Sequence, residues 1–366
     1  MKTIPSLATY SLLGRSGLRV SPLALGTMTF GTEWGWGSPK ETVFVLLDRY
    51  LEAGGNLLDT ADGYTNGTSE RLIGEYFAAR GGRDRAVLAT KFTFSGDPGD
   101  PNAGGNGRKN IHRALEGSLK RLRTDYVDLY WLHAWDGLTP VEEVMGTLDA
   151  LVRAGKVRYL GLSDVPAWYL GRAQTLAEWR GWERLAGLQL EYSLVERNIE
   201  REHVPAALAL GLGITPWSPL ASGLLSGKYT RAGRQAQGQG RLPTVAASGH
   251  PAFEKLLTER NWTIVDTLIR VAKEIGAPPA QVALAWVARR PGVASTIIGA
   301  TRIEQLESNL AALDVVIPEP LLAQLDEVSA PPLVHPYHFF LTPVIRGRIS
   351  GGTTVQAEPA GYRPKT

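Results

Sequence analysis

The chain has 366 residues, 43% of them hydrophobic and 20% charged, enough apolar material to bury a sizeable core as one large or two ordinary domains. Its 39 Lys and Arg are dispersed among 36 Asp and Glu, so despite a sequence pI near 9.0 there is no basic block of the kind nucleic-acid binding requires. The absence of cysteine excludes disulfides, thiolate metal sites and a cysteine nucleophile, and leaves the redox compartment open.

The chain opens on "MKTIPSLATYSLLGRSGLRVSP", which has no continuous apolar stretch, and no run of 18 uncharged apolar residues follows anywhere. We therefore expect neither a secretory signal nor a membrane span, and take the cytoplasm as the compartment. The "GRSG" within that segment lies between two short alternating runs and predicts a hairpin that plugs the bottom of the fold.

Short apolar runs then alternate with amphipathic stretches. The candidate strands are "LALGT" (23–27), "NLLDT" (56–60), "AVLATK" (86–91), "YVDLYWLH" (126–133), "RYLGLS" (158–163), "LQLEY" (188–192), "GITPWS" (213–218) and "STIIGA" (295–300). Between them, "SERLIGEYFAAR", "NIHRALEGSLKRLR", "PVEEVMGTLDALVRAGK" and "IEQLESNLAALD" repeat apolar residues at helical spacing, with Ser, Asn or Thr-Pro at their starts. Eight strand-helix pairs in about 300 residues fit an α/β (β/α)8 TIM barrel better than an open doubly wound sheet. A Rossmann fold would want G-x-G-x-x-G after the first strand, where this chain has "GTMTFG".

Two long Gly/Pro-rich loops, 93–108 after the third strand and 228–251 after the seventh, read equally as functional lids or as disorder. The aromatic, Gly/Pro-rich tail from Pro331 reads as a surface extension, giving one barrel domain over 1–330 and a C-terminal extension over 331–366.

In a barrel the carboxyl ends of all strands share one face, so residues far apart in sequence converge there. Those ends carry Asp59, with Tyr64 in the loop that follows, then Lys91, His133, Ser163 with Asp164, and Trp217 with Ser218, while the sixth strand carries Gln189. Singly, an Asp after a strand is as readily a cap, and a His in "YWLHAW" a hydrogen-bonded core residue. Together they make a relay. A phenol is a poor acid at neutral pH unless positive charge favours the phenolate; Lys91 supplies that charge, Asp59 keeps the lysine protonated, and Tyr64 then donates a proton to a carbonyl oxygen that His133 orients.

At these residues the chain resembles the aldo-keto reductase superfamily, in its aryl-alcohol-dehydrogenase-like and channel-beta-subunit-like branch. "DTADGY", "ATK" and "LYWLH" match that family's tetrad in order, implying Asp59, Tyr64, Lys91 and His133; "GLSD", "LQLEYSL", "WSPLASGLLSGKY" and "IIGATRIEQLESNL" match its cofactor segments. The likeness runs from about Tyr10 to Val328. It implies NADPH-dependent reduction of aldehydes and ketones to alcohols, reversible, without a metal. It further implies that Ser163, Asp164 and Gln189 hold the carboxamide and Trp217 stacks on the nicotinamide. Ser218, Leu220 and Lys228 would follow the pyrophosphate, Gly299, Thr301, Arg302, Gln305 and Asn309 would lie near the adenosine, and Gly26 and Met28 on the nicotinamide side.

Four positions depart from the family pattern. Asp164 stands where many members have Asn and can only accept a hydrogen bond, while Gly299 and Thr301 offer no cation for a 2′-phosphate and Ser308 replaces a frequent Glu. Arg302 or Arg241 is then the phosphate partner; on those two guanidiniums we favour NADP(H) over NAD(H). Two other functions fit fewer residues: an NADP(H)-binding regulatory subunit with slow or vestigial catalysis, and a metal-dependent barrel enzyme on Asp59, Asp62 and His133. The expected partner is a small carbonyl or alcohol, with no nucleic acid or membrane. Trp34, Trp36, Trp135, the loop after the third strand and "HPYHFF" are the candidate pocket walls, and neither the substrate nor the oligomeric state is specified by them.

Overall fold

A computed structural model describes residue 4, residues 6–229 and residues 256–353. The chain begins with an antiparallel hairpin of β1 (Ser11–Leu12) and β2 (Arg19–Val20). Eight parallel strands follow: β3 (Leu23–Gly26), β4 (Leu57–Asp59), β5 (Val87–Phe92), β6 (Val127–Leu132), β7 (Val157–Ser163), β8 (Leu185–Gln189), β9 (Gly213–Ile214) and β10 (Thr296–Ile298). Their spatial order is β10-β3-β4-β5-β6-β7-β8-β9. The two ends of that order meet: Ile214 N–H donates to Gly292 O at 2.8 Å, Ala294 N–H to Ile214 O at 2.9 Å and Ile297 N–H to Pro216 O at 2.9 Å. The fold is a (β/α)8 TIM barrel.

The helices that cover it are α1 (Lys40–Glu52), α2 (Thr68–Arg80), α3 (Arg108–Leu122), α4 (Val141–Arg153), α5 (Ala167–Arg180) and α6 (His203–Leu210), then α7 (Glu259–Ile275), α8 (Pro279–Ala288), α9 (Ile303–Leu310) and α10 (Glu319–Val328). In α3 the buried stripe is Ile111, Ala114, Leu115, Leu119 and Leu122, spaced by one, three and four, whereas α8 is buried continuously from Val282 to Ala288. Among the described residues no helix is long and apolar enough to cross a membrane.

Strand alternation sorts two cores. Leu58, Leu88, Tyr130, Leu132, Leu160 and Leu162 face outward into the helices. Leu57, Ala89, Leu129 and Trp131 face inward and pack on Leu13 and Val20 of the hairpin, which thus plugs the barrel as expected. Trp131 fills the interior because its neighbours are glycines: a Cβ on Gly161 would lie 2.1 Å from its ring and one on Gly187 2.8 Å.

Three expectations need correction. The "LQLEY" ladder lies earlier, ending at Gln189, because Leu190 and Tyr192 are buried beyond the paired segment and prolong the apolar run. The continuous "GITPWS" ladder stops at Ile214, since Pro216 has no N–H, and pairing resumes only as a bridge between Trp217 and Glu191. The expected polar helix starts are absent: the N-caps of α2, α3, α4 and α9 are Gly67, Gly107, Pro140 and Arg302, none with a side-chain capping bond.

The 93–108 loop is ordered by its own hydrogen bonds, including Gly105 N–H to Thr93 O at 2.7 Å and Asn106 N–H to Asp136 Oδ2 at 2.8 Å. Of the second long loop, positions 230–251 and with them Arg241 lie outside the described residues. After α10 the chain forms two short helices, α11 (Tyr337–Leu341) and α12 (Pro343–Ile349). Tyr337 Oη donates to Glu202 Oε1 at 2.6 Å and Arg201 Nη2 to Pro332 O at 2.8 Å, fastening this segment beside the start of α6.

Candidate active site

Because inward and outward residues alternate, the inner positions that end β4, β5, β7 and β8 are Asp59, Lys91, Ser163 and Gln189, and His133 follows β6 two residues after Trp131. The ladders pair Gly26 with Asp59, Lys91 with Trp131 and Ser163 with Gln189, so these groups sit side by side at one end of the barrel. Trp131 closes the floor beneath them.

Lys91 is the hub. Its Nζ donates to Asp59 Oδ2 at 2.5 Å, to Thr60 O at 2.8 Å and to Tyr64 Oη at 3.2 Å. Three bonds exhaust an ammonium's donors. The other carboxylate oxygen, Oδ1 of Asp59, accepts from Gln189 Nε2 at 2.9 Å. Both oxygens of Asp59 are thus engaged by protein donors. The Thr60 carbonyl was not legible as a site group, since a backbone acceptor has no residue signature.

The charges follow from this geometry. Burial works against the Lys91 ammonium, but Asp59 and Tyr64 together outweigh it and raise Lys91 above the ordinary lysine value. Burial raises the Tyr64 phenol, and Lys91 pulls it back without reversing the rise. The expected acidified phenol is therefore corrected: in the resting site Tyr64 is held protonated, and the effect of Lys91 is to reduce the penalty that burial places on the phenolate.

The loop that carries Tyr64 is wound by two left-handed non-glycine residues, Thr65 at φ 46° and Asn66 at φ 56°, before Gly67 at φ 84°. Thr65 Oγ1 donates to Phe30 O at 2.6 Å and accepts from Ser69 N–H at 3.1 Å, tying that loop to the start of α2. Behind it, Glu70 is fully buried between Arg121 Nε at 2.6 Å and Thr90 Oγ1 at 2.6 Å. Asp62 Oδ1 is buried without a partner, and burial followed by the nearby Glu70 pushes the Asp62 carboxyl up to about 7.

His133 contacts Tyr64 edge to face, centroids 5.9 Å apart, and Phe94 at 4.5 Å. Burial, reinforced by the Lys91 charge, lowers its pKa to about 2, so the ring is neutral at any working pH; its Nδ1 is buried and unpaired. A folded-state pKa below the unfolded value near 6.5 means that the unfolded chain binds the extra proton, so stability falls as pH drops below 6.5. His133→Gln should remove that part of the acid sensitivity, at most about 1.4 kcal/mol per pH unit. Urea midpoints at pH 7 and pH 5 check this: the parent should lose more than the variant.

On the other side of the mouth, Asp164 adopts φ 47° and accepts from Trp217 Nε1 at 3.1 Å, with Ser163 Oγ 3.5 Å from its other oxygen. Ser218, Ala221 and Ser222 are also left-handed, turning the backbone from Trp217 through Leu220 toward Lys228, whose Nζ lies 5.1 Å from the Tyr229 ring. Met28 is half-buried on the loop after β3, and a Cβ on Gly26 would strike Ile297 Cγ2 at 2.6 Å. At the end of β10, Gln305 Oε1 accepts from Thr301 N–H at 2.8 Å, and Asn309 Nδ2 donates to Gly299 O at 3.1 Å. These two bonds shape the entry to α9. A Cβ on Gly299 would meet nothing within 4 Å, and exposed Arg302 caps the helix.

A family model described as the aldo/keto reductase family matches residues 22–330. An uncharacterized oxidoreductase of Bacillus subtilis, YrpG, is 39% identical over 88% of this chain and 96% of its own length. The norsolorinic acid reductase stcV of Emericella nidulans is 38% identical over 88% of this chain and 82% of its own. An aryl-alcohol dehydrogenase [NADP(+)] of Phanerodontia chrysosporium is 37% identical over 82% of this chain and 80% of its own.

Proposed function

The chain belongs to the aldo/keto reductase family and is an oxidoreductase, and on that premise we propose that it reduces aldehydes and ketones to alcohols, reversibly, with NADP(H). The observation that carries the proposal is the single Lys91 ammonium bonded to both Asp59 and Tyr64 at the mouth of the barrel.

The described residues fit a nicotinamide dinucleotide. The indole of Trp217 is held at its edge by Asp164, leaving its flat faces for a heterocycle; Ser163 and the Gln189 carbonyl offer polar contacts beside it. The open space at Gly299 adjoins the N-terminus of α9, where unpaired backbone N–H groups and Arg302 suit a phosphate. The adenosine-side residues would be Thr301, Arg302, Gln305 and Asn309, with Arg241 from beyond the described segment; Ser218, Leu220 and Lys228 would lie along the pyrophosphate, and Gly26 and Met28 beside the nicotinamide. When bound, the cofactor supplies or accepts the hydride.

The protein's own residues handle the proton. Tyr64 holds it on Oη and delivers it to the carbonyl oxygen as negative charge develops there. Lys91, fixed by Asp59, then stabilises the phenolate left behind. His133, held neutral, would hydrogen-bond the same carbonyl oxygen.

The direct test measures NADPH and NADH oxidation side by side with aromatic and aliphatic aldehydes. We expect turnover with a preference of about tenfold or more for NADPH, the worth of one charge-assisted contact to the 2′-phosphate. Tight NADPH binding without turnover of any carbonyl would instead favour the regulatory-subunit alternative.

A further inference from the structure

Thr93 is the one β-branched residue at a strand end of this site with φ as high as 127°, far outside the region such side chains prefer. Its position is over-determined. Its hydroxyl donates to Asn106 Oδ1 at 2.7 Å and accepts from His133 N–H at 3.2 Å, and its carbonyl accepts from Gly105 N–H at 2.7 Å. Asn106 is itself buried, donating from Nδ2 to Ala134 O at 2.9 Å and from its backbone to Asp136 Oδ2 at 2.8 Å. Strain maintained by so many partners is the pattern of a segment whose geometry matters for function.

What the strained backbone delivers is Phe94. An apolar ring would ordinarily be turned inward, yet this one is 52% exposed and lies 4.5 Å from the His133 ring, which in turn abuts Tyr64. The loop after β6 adds Trp135, which meets Trp168 in the first turn of α5 edge to face at 5.7 Å, both of them exposed. The exposed face of Phe94 beside His133 leaves apolar area available to a bound molecule.

We propose that Phe94, held over His133 by the strained Thr93, is the specificity-determining wall of the substrate site, selecting carbonyl compounds whose reacting group is attached to a flat aromatic ring. The inference rests on the carbonyl-reduction reading above. Phe94 acts on binding and not on proton delivery, since it has no titratable group. Its removal should therefore appear in KM for ring-bearing substrates alone.

The experiment compares the parent, Phe94→Leu and Phe94→Tyr with 4-nitrobenzaldehyde and with butanal, NADPH saturating. For Phe94→Leu we expect KM for the aromatic aldehyde to rise about tenfold, the worth of one ring-ring contact, with kcat for it and kcat/KM for butanal within about threefold of the parent. Phe94→Tyr, which keeps the ring, should restore the aromatic KM to within about threefold. Equal losses for both aldehydes, no loss for either, or failure of the tyrosine variant to restore KM would overturn the assignment while leaving the carbonyl-reduction reading intact. A parent that oxidises NADPH with neither aldehyde would overturn both.

Discussion

Tyr64→Phe is expected to lower kcat for carbonyl reduction by about 10²–10⁴-fold, the range for losing a positioned general acid, with NADPH affinity within about threefold of the parent. The ring itself is held edge to face against His133 and its plane lies near the Lys91 ammonium, 4.8 Å from Nζ to centroid, so phenylalanine can occupy the same space. Only the hydroxyl is lost, and with it one of three hydrogen bonds to Lys91. The substitution therefore removes a proton without removing a wall. Rapid-mixing rates and NADPH fluorescence titration separate the two quantities. A variant that binds NADPH and reduces an aromatic aldehyde at the parent rate would show that the proton comes from another group.

The net upward shift of the phenol also predicts how the parent depends on pH. Tyr64 is protonated in the resting site, so reduction should not require titrating it down first. The opposite direction, alcohol oxidation, needs an acceptor for the substrate proton and should quicken as the pH rises toward the phenol's range.

Much of this site is legible in the sequence because a parallel barrel converts position along the chain into position in space. Asp59, Lys91, His133 and Ser163 can be aligned at strand ends from apolar runs alone, and the structure places all four at the same end; Gln189, expected near the start of 188–192, joins them because its strand lies earlier and ends on it. What the runs do not carry is side-chain partnership across long separations. The Gln189 amide lies on Asp59, 130 positions away, and nothing local to either residue encodes that bond. Nor is net electrostatics readable: Lys91 lies close enough to favour the Tyr64 phenolate, yet whether burial wins depends on the packing around the ring. Thr93 is a plainer miss. Its β-branched side chain reads as one more strand residue, and only the backbone shows the left-handed turn that exposes Phe94. The interruption of β9 could have been read from Pro216, whose missing N–H breaks the ladder before Trp217 pairs again with Glu191.

Lys91→Met should produce the second large effect, on stability as well as rate. Methionine matches the lysine stem in volume but leaves Asp59 almost wholly buried, 3% exposed, with only Gln189 beside it. Removing one partner of a buried ion pair costs about 3–5 kcal/mol, because the remaining charge has lost its compensation. The double variant Lys91→Met with Asp59→Asn removes that charge and should recover most of the stability while remaining as inactive as the single variant, since the phenolate still lacks its cation. The pH dependence has a definite sign. Lys91 is raised above 10.5 when folded, so its contribution is fully present below 10.5 and is lost as the pH climbs through the raised value. Urea midpoints measured from pH 8 to 11 should therefore fall more steeply for the parent than for the double variant. A double variant that stays as unstable as Lys91→Met would show that packing around the methionine, and not the stranded carboxylate, sets the cost, and the ion pair would then lose its place as the element that holds Tyr64 ready.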